Sequence, residues 1–115
     1  MRIDELPYLQ RYHGRPCPYC GKAMLIGGPK ERRPTRDHIV PRCRQTLWNQ
    51  REPRIAVVCS ICNHHKGNHF IEEWLKLLKA KGEKRADHVA AFVALRARST
   101  SKYSADWLDE LVGSP

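Results

Sequence analysis

The chain has 115 residues, 41% hydrophobic and 29% charged, which suits one small domain whose core needs a metal or cross-link to help hold it. Its 21 Lys and Arg against 12 Asp and Glu give a formal charge of +9, which favours a polyanionic partner, most commonly nucleic acid. The opening Met1-Arg-Ile-Asp-Glu-Leu-Pro7 holds two acids and no apolar run, and Val89 to Leu95 is far too short to span a bilayer. The expectation is a cytoplasmic or nucleoid-associated protein with no signal peptide and no membrane partner.

In chain order, residues 1–16 mix aromatic and basic groups (Tyr8, Arg11, Tyr12, His13, Arg15) and lead into a tight turn at Cys17-Pro-Tyr-Cys-Gly21. Gly27-Gly28-Pro29 breaks the chain, and Lys30 to Arg36 is a basic loop. A short strand is predicted over Thr35 to Val40, stopped by Pro41, and a second, buried one over Ile55 to Val58. A helix begins near Ser60 as N-cap, and Phe70, Ile71, Trp74, Leu75 and Leu78 recur at the three- and four-residue spacing of one apolar helical face before Gly82. Arg85 to Arg98 reads as another helix with Val89, Phe92, Val93 and Arg96 on one side; Ser104 caps a last one carrying Trp107, Leu108 and Leu111. The predicted class is α+β.

Cys17-Pro-Tyr-Cys20 and Cys59-Ser-Ile-Cys62 are paired Cys-x-x-Cys knuckles. A two-residue gap lets both sulfurs of one turn face a single ion, so four thiolates at Cys17, Cys20, Cys59 and Cys62 predict a structural Zn²⁺. A closed four-thiolate site has no open position for catalysis, which makes the zinc a staple. The fifth cysteine, Cys43, has no assigned role. Between the knuckles lies Asp37-His38-Ile-Val-Pro41, and Asn63 follows the last cysteine, with Lys66-Gly67 beyond it.

In this order, Cys17, Cys20, Asp37, His38, Ile39, Pro41, Cys59, Cys62, Asn63, Lys66 and Gly67 resemble the HNH endonuclease family over roughly residues 17–69. The resemblance implies a zinc-stapled ββα-metal finger with additional C-terminal helices from about residue 70 to 112, the whole chain forming one nuclease domain. It implies His38 as general base, with Asp37 and Asn63 holding a catalytic divalent ion. A carboxylate and an amide oxygen are hard ligands suited to Mg²⁺ or Mn²⁺. Adjacent strand residues face opposite ways, so Asp37 and His38 can serve one phosphate only where the strand end twists or bulges. Arg36, Arg42, Arg44 and Lys66 are the candidate contacts to flanking phosphates of DNA.

Two positions depart from that family. Arg54 stands where its middle asparagine usually lies, the residue that orients the catalytic histidine through its backbone; Asn49, farther back, is the candidate replacement. Arg42 to Trp48 replace a glycine pair. His64 and His65 are further candidates for the metal site or phosphate contacts. A non-catalytic, zinc-bound nucleic-acid module is the alternative reading, and the charge of +9 disfavours a pure protein-interaction domain. A domain this small reads a long site only with help, which points to a homodimer or a larger protein partner.

Overall fold

The computed structural model describes residues 6–50 and 54–98; the predicted helix after Ser104 lies outside them. Six helices and strands organise the described residues: α1 (Leu6–Gln10), β1 (Pro34–His38), β2 (Ile55–Cys59), α2 (Ser60–Lys66), α3 (Ile71–Ala80) and α4 (Ala86–Arg98). Two 3-10 turns, Lys30–Arg32 and Arg42–Arg44, flank β1. The α+β class, the two-stranded sheet and the C-terminal helices agree with the sequence reading.

β1 and β2 pair antiparallel, with Pro34 opposite Cys59 and His38 opposite Ile55. β2 is buried from Ala56 to Cys59, so its Ile-Ala-Val-Val run is apolar throughout. β1 is mixed: Pro34 and Asp37 turn inward while Arg36 is exposed. The Thr35 hydroxyl donates to the Val58 carbonyl at 2.9 Å and helps fix the register.

β2 runs without a loop into α2. The N-cap is Cys59, in extended conformation, and Ser60 is already helical, its amide bonded to the Arg33 carbonyl at 2.9 Å. The expected cap at Ser60 is thus shifted by one residue, because the zinc knuckle itself turns the chain. α2 ends at Gly67, whose φ of +54° favours glycine. α3 restarts after Phe70, whose amide is capped by the Glu73 carboxylate at 2.9 Å.

The core gathers Leu9 of α1, the strand residues Val57 and Val58, Trp74 and Leu78 of α3, and Val89 and Phe92 of α4. Its centre is Tyr19, from inside the first knuckle. The Tyr19 ring lies 5.3 Å from Trp74 and 5.0 Å from Phe92, both edge-on, an arrangement that aromatic quadrupoles favour. No described helix is long and apolar enough to cross a membrane.

Candidate metal centre and adjoining cleft

A different local structure shapes each knuckle: a turn at the first and a strand–helix junction at the second. At the first, Gly21 donates to the Cys17 carbonyl at 2.7 Å and closes the turn at φ +78°. A Cβ at Gly21 would sit 2.6 Å from the exposed His88 ring of α4, which can turn aside, so it is the positive φ that favours glycine here. At the second, the β2–α2 junction carries Cys59 and Cys62 on either side of the helix start.

The four sulfurs all lie within 4.8 Å of one another. Cys20 Sγ and Cys59 Sγ are 3.7 Å apart, close to the roughly 3.8 Å edge of a tetrahedron with zinc–sulfur bonds of about 2.3 Å. None of the five cysteines is paired in a disulfide. Such crowding splits their titration: burial pushes the Cys17 thiol up, whereas hydrogen bonding, first to Cys17, pulls Cys20 down and Cys59 to about 7. A cation among the four sulfurs would favour the thiolate form of all of them, and the donor set is that of a structural zinc. The four cysteines are positioned to bind a zinc ion.

The surroundings suit the charge of such a centre. The amides of Tyr19 and Cys59 approach Cys17 Sγ at 3.4 and 3.3 Å, and Arg85 Nη1 donates to Cys62 Sγ at 3.5 Å. Amide and guanidinium donors offset the excess negative charge of four thiolates around one dication.

A separate cleft of about 330 Å³ is lined by Arg36, Asp37, His38, Arg42, Cys43 and Asn63, among others. Asp37 and His38 both line this cleft, although β1 pairs regularly with β2 as far as His38 opposite Ile55 and the Asp37 side chain turns inward. The Asn63 amide Nδ2 donates to Thr35 Oγ1 at 3.0 Å and to the Arg36 carbonyl at 3.3 Å, which leaves Oδ1 as its acceptor atom.

Asp37 is 4% exposed and its Oδ2 accepts from the Tyr19 hydroxyl at 2.7 Å. Lys66 lies within 3.3 Å of the same carboxylate and donates to the His38 carbonyl at 3.0 Å. Burial pushes the Asp37 carboxyl up, against the pull of Lys66 and Tyr19, and pushes the Lys66 ammonium down, against Asp37. For His38, burial and then the Arg42 charge lower the imidazole below its ordinary value, with Asp37 opposing. His38 is therefore mostly neutral at neutral pH, the state a general base needs.

Not every predicted residue meets the cleft. Lys66, expected on a phosphate, has no exposed surface and is committed to Asp37 and His38. Arg44 instead binds the Glu73 carboxylate of α3 and lies 3.8 Å over the Phe70 ring. Asn49, expected to support His38, braces its own loop through Thr46 and Arg44. His64 and His65 are exposed, and His65 lines a cavity beside the cysteines rather than the cleft. The residue that sequence reasoning missed is Tyr19: inside a knuckle, no periodicity marks it as core or as the partner of Asp37.

Among the described residues, the four cysteines are the group of three or more His, Cys, Asp or Glu ligands in mutual reach. The chain is 38% identical over 66 residues to the CRISPR-associated endonuclease Cas9 of Corynebacterium diphtheriae. That stretch is 57% of this chain but 6% of the Cas9 protein. No solved structure matches. The profile that matches is that of a zinc-finger family rather than an HNH family, and it spans residues 10–107. With its four-cysteine centre inside that span, the chain belongs to the family described as the putative zinc-finger of transcription factor IIIC complex.

Proposed function

We propose that the chain is a metal-dependent endonuclease that hydrolyses DNA phosphodiester bonds in the cleft at the end of β1. The convergence of Arg36, Asp37, His38, Arg42 and Asn63 on that cleft carries the reading. The HNH-like order of motifs and the partial likeness to an endonuclease support it.

Arg36 and Arg42 hold the phosphates on either side of the scissile bond. Neutral His38 takes a proton from water as the water oxygen bonds to phosphorus. The bond to the 3′ oxygen breaks, that oxygen keeping the electron pair and taking a proton from solvent. Asp37 and Asn63 Oδ1 would hold a Mg²⁺ or Mn²⁺ ion, which would supply charge stabilisation to the phosphate oxygens. The carboxylate has lone pairs beyond those taken by Tyr19 and Lys66.

A second reading, a non-catalytic zinc-bound nucleic-acid module, is favoured by that same engagement of Asp37 and by the zinc-finger family. Supercoiled plasmid incubated with Mg²⁺, Mn²⁺ or no added metal decides between them. Nicked or linear product with the natural protein and none with His38→Ala supports hydrolysis. Retained binding without cleavage under any metal supports the module.

A further inference from the structure

The loop from Pro41 to Gln50 presents two apolar side chains almost entirely to solvent, Leu47 at 90% and Trp48 at 91% exposure. A tryptophan so placed forgoes burial of roughly 150–250 Å² of surface, more than any other side chain could contribute to the core. Floppy loops often expose such a ring, but this turn is braced from within. Asn49 Oδ1 accepts from the Thr46 amide at 2.8 Å, and Asn49 Nδ2 donates to the Arg44 carbonyl at 2.9 Å. Thr46 Oγ1 accepts from the amides of Trp48 and Asn49, both at 3.2 Å, and Gln50 Nε2 donates to the Thr46 carbonyl at 3.1 Å.

The root of the loop is tied as well. Gln45 Nε2 donates to the Val40 carbonyl at 3.1 Å, and Arg44 is held by Glu73. The polar side chains of the turn are thus spent on its own backbone, and they hold Leu47 and Trp48 outward. The same loop begins with Arg42 and Cys43, which line the cleft with Arg36 and His38.

We propose that the Leu47–Trp48 tip is a base-contacting wedge: Trp48 stacks on a base and Leu47 fills the opened step while Arg36 and Arg42 grip phosphates. The charge around the ring selects this occupant over a protein. Pro41 to Gln50 contains two arginines and no acid, on a chain of charge +9. Arg44 is engaged by Glu73, so the cation that this loop offers is Arg42, which lines the cleft beside Arg36. A flat ring on the loop that carries it matches the alternation of bases and phosphates, and stacking tolerates any sequence because every base has a π-face.

The inference rests on the nucleic-acid-binding part of the proposed function and is indifferent to cleavage. The test titrates zinc-loaded protein carrying His38→Ala, so that nothing is cut, with a duplex and with a single-stranded oligonucleotide. Adding Trp48→Ala is expected to weaken binding about fivefold to a hundredfold, the range of one stacked base. The slope of log Kd against log salt should stay unchanged, since no charge is lost, whereas Arg42→Ala should lower it by about one. Trp48→Phe should recover part of the loss, which a merely folding-related role would not require. Trp48→Ala that binds as tightly as its parent overturns the wedge and leaves nucleic-acid binding standing. Loss of self-association on Trp48→Ala without loss of binding makes the tip a contact between copies and overturns the wedge too. No binding by any form overturns both the wedge and the nucleic-acid reading.

Discussion

Lys66 holds the two residues at the centre of the cleft, one through its side chain and one through its backbone. Cys62 and Lys66 stand four apart on α2 and both point inward, so the burial was legible once Cys62 was assigned to zinc. Charge alone pointed the other way, because a lysine is rarely buried unless paired and its partner, Asp37, is 29 residues distant. Lys66→Met should cost about 3–5 kcal/mol in a urea titration by leaving a buried carboxylate alone, and Asp37→Asn added to it should restore part. The sign with pH follows from Asp37. Its carboxyl is already raised by burial, and losing Lys66 raises it further. The folded variant then binds more protons than the unfolded chain, so its stability falls as pH rises. The Lys66→Met penalty should therefore be full at neutral pH and shrink as pH drops through the raised Asp37 value. An equal penalty at both extremes would place the ammonium's contribution elsewhere. His38 makes a separate claim: cleavage should climb with pH to a plateau, its midpoint below the ordinary imidazole value of 6.5. A midpoint above that value would remove His38 as the base.

At the scale of elements, the strands and apolar helical faces were readable because β-branched runs and three-to-four spacing report burial directly. The break between α2 and α3 was less so. The apolar face starts only at Phe70, while the knuckle demands a helix at Ser60, and Gly67 separates the two. At φ +54° and ψ −131°, Gly67 occupies backbone space closed to other residues, and a Cβ there would meet nothing nearer than the His64 carbonyl at 3.7 Å. The cost of Gly67→Ala is thus conformational rather than steric, about 1–3 kcal/mol by thermal or urea unfolding. A neutral substitution would mean that the α2–α3 junction relaxes freely. α1 escaped sequence reading because Leu6–Gln10 is too short to display a period. The loop after β1 was readable as a loop, but its inner bracing depends on which side chains find which backbone atoms, and composition does not reveal that.

For the whole molecule, a zinc ion at the four cysteines would close the sheet and α2 onto the first knuckle, and Tyr19 would carry that closure into the core and on to Asp37. The spacing of the cysteines made the frame plain, whereas the link through Tyr19 is a tertiary contact invisible to any motif. Cys59→Ser, or chelation of the natural protein, should unfold the domain by circular dichroism, because metal binding and folding are one process in so small a core. His38→Ala should keep both its fold and one zinc by elemental analysis. A His38→Ala protein that loses zinc would merge the two sites. Their separation is tested most directly by titrating Mn²⁺ into the ¹⁵N-labelled, zinc-loaded protein. Paramagnetic broadening should centre on the amides of Arg36, Asp37, His38 and Asn63, and Asp37→Asn should weaken it. Broadening that appears only at the knuckles, or nowhere in the cleft, would contradict a second metal site within the zinc frame.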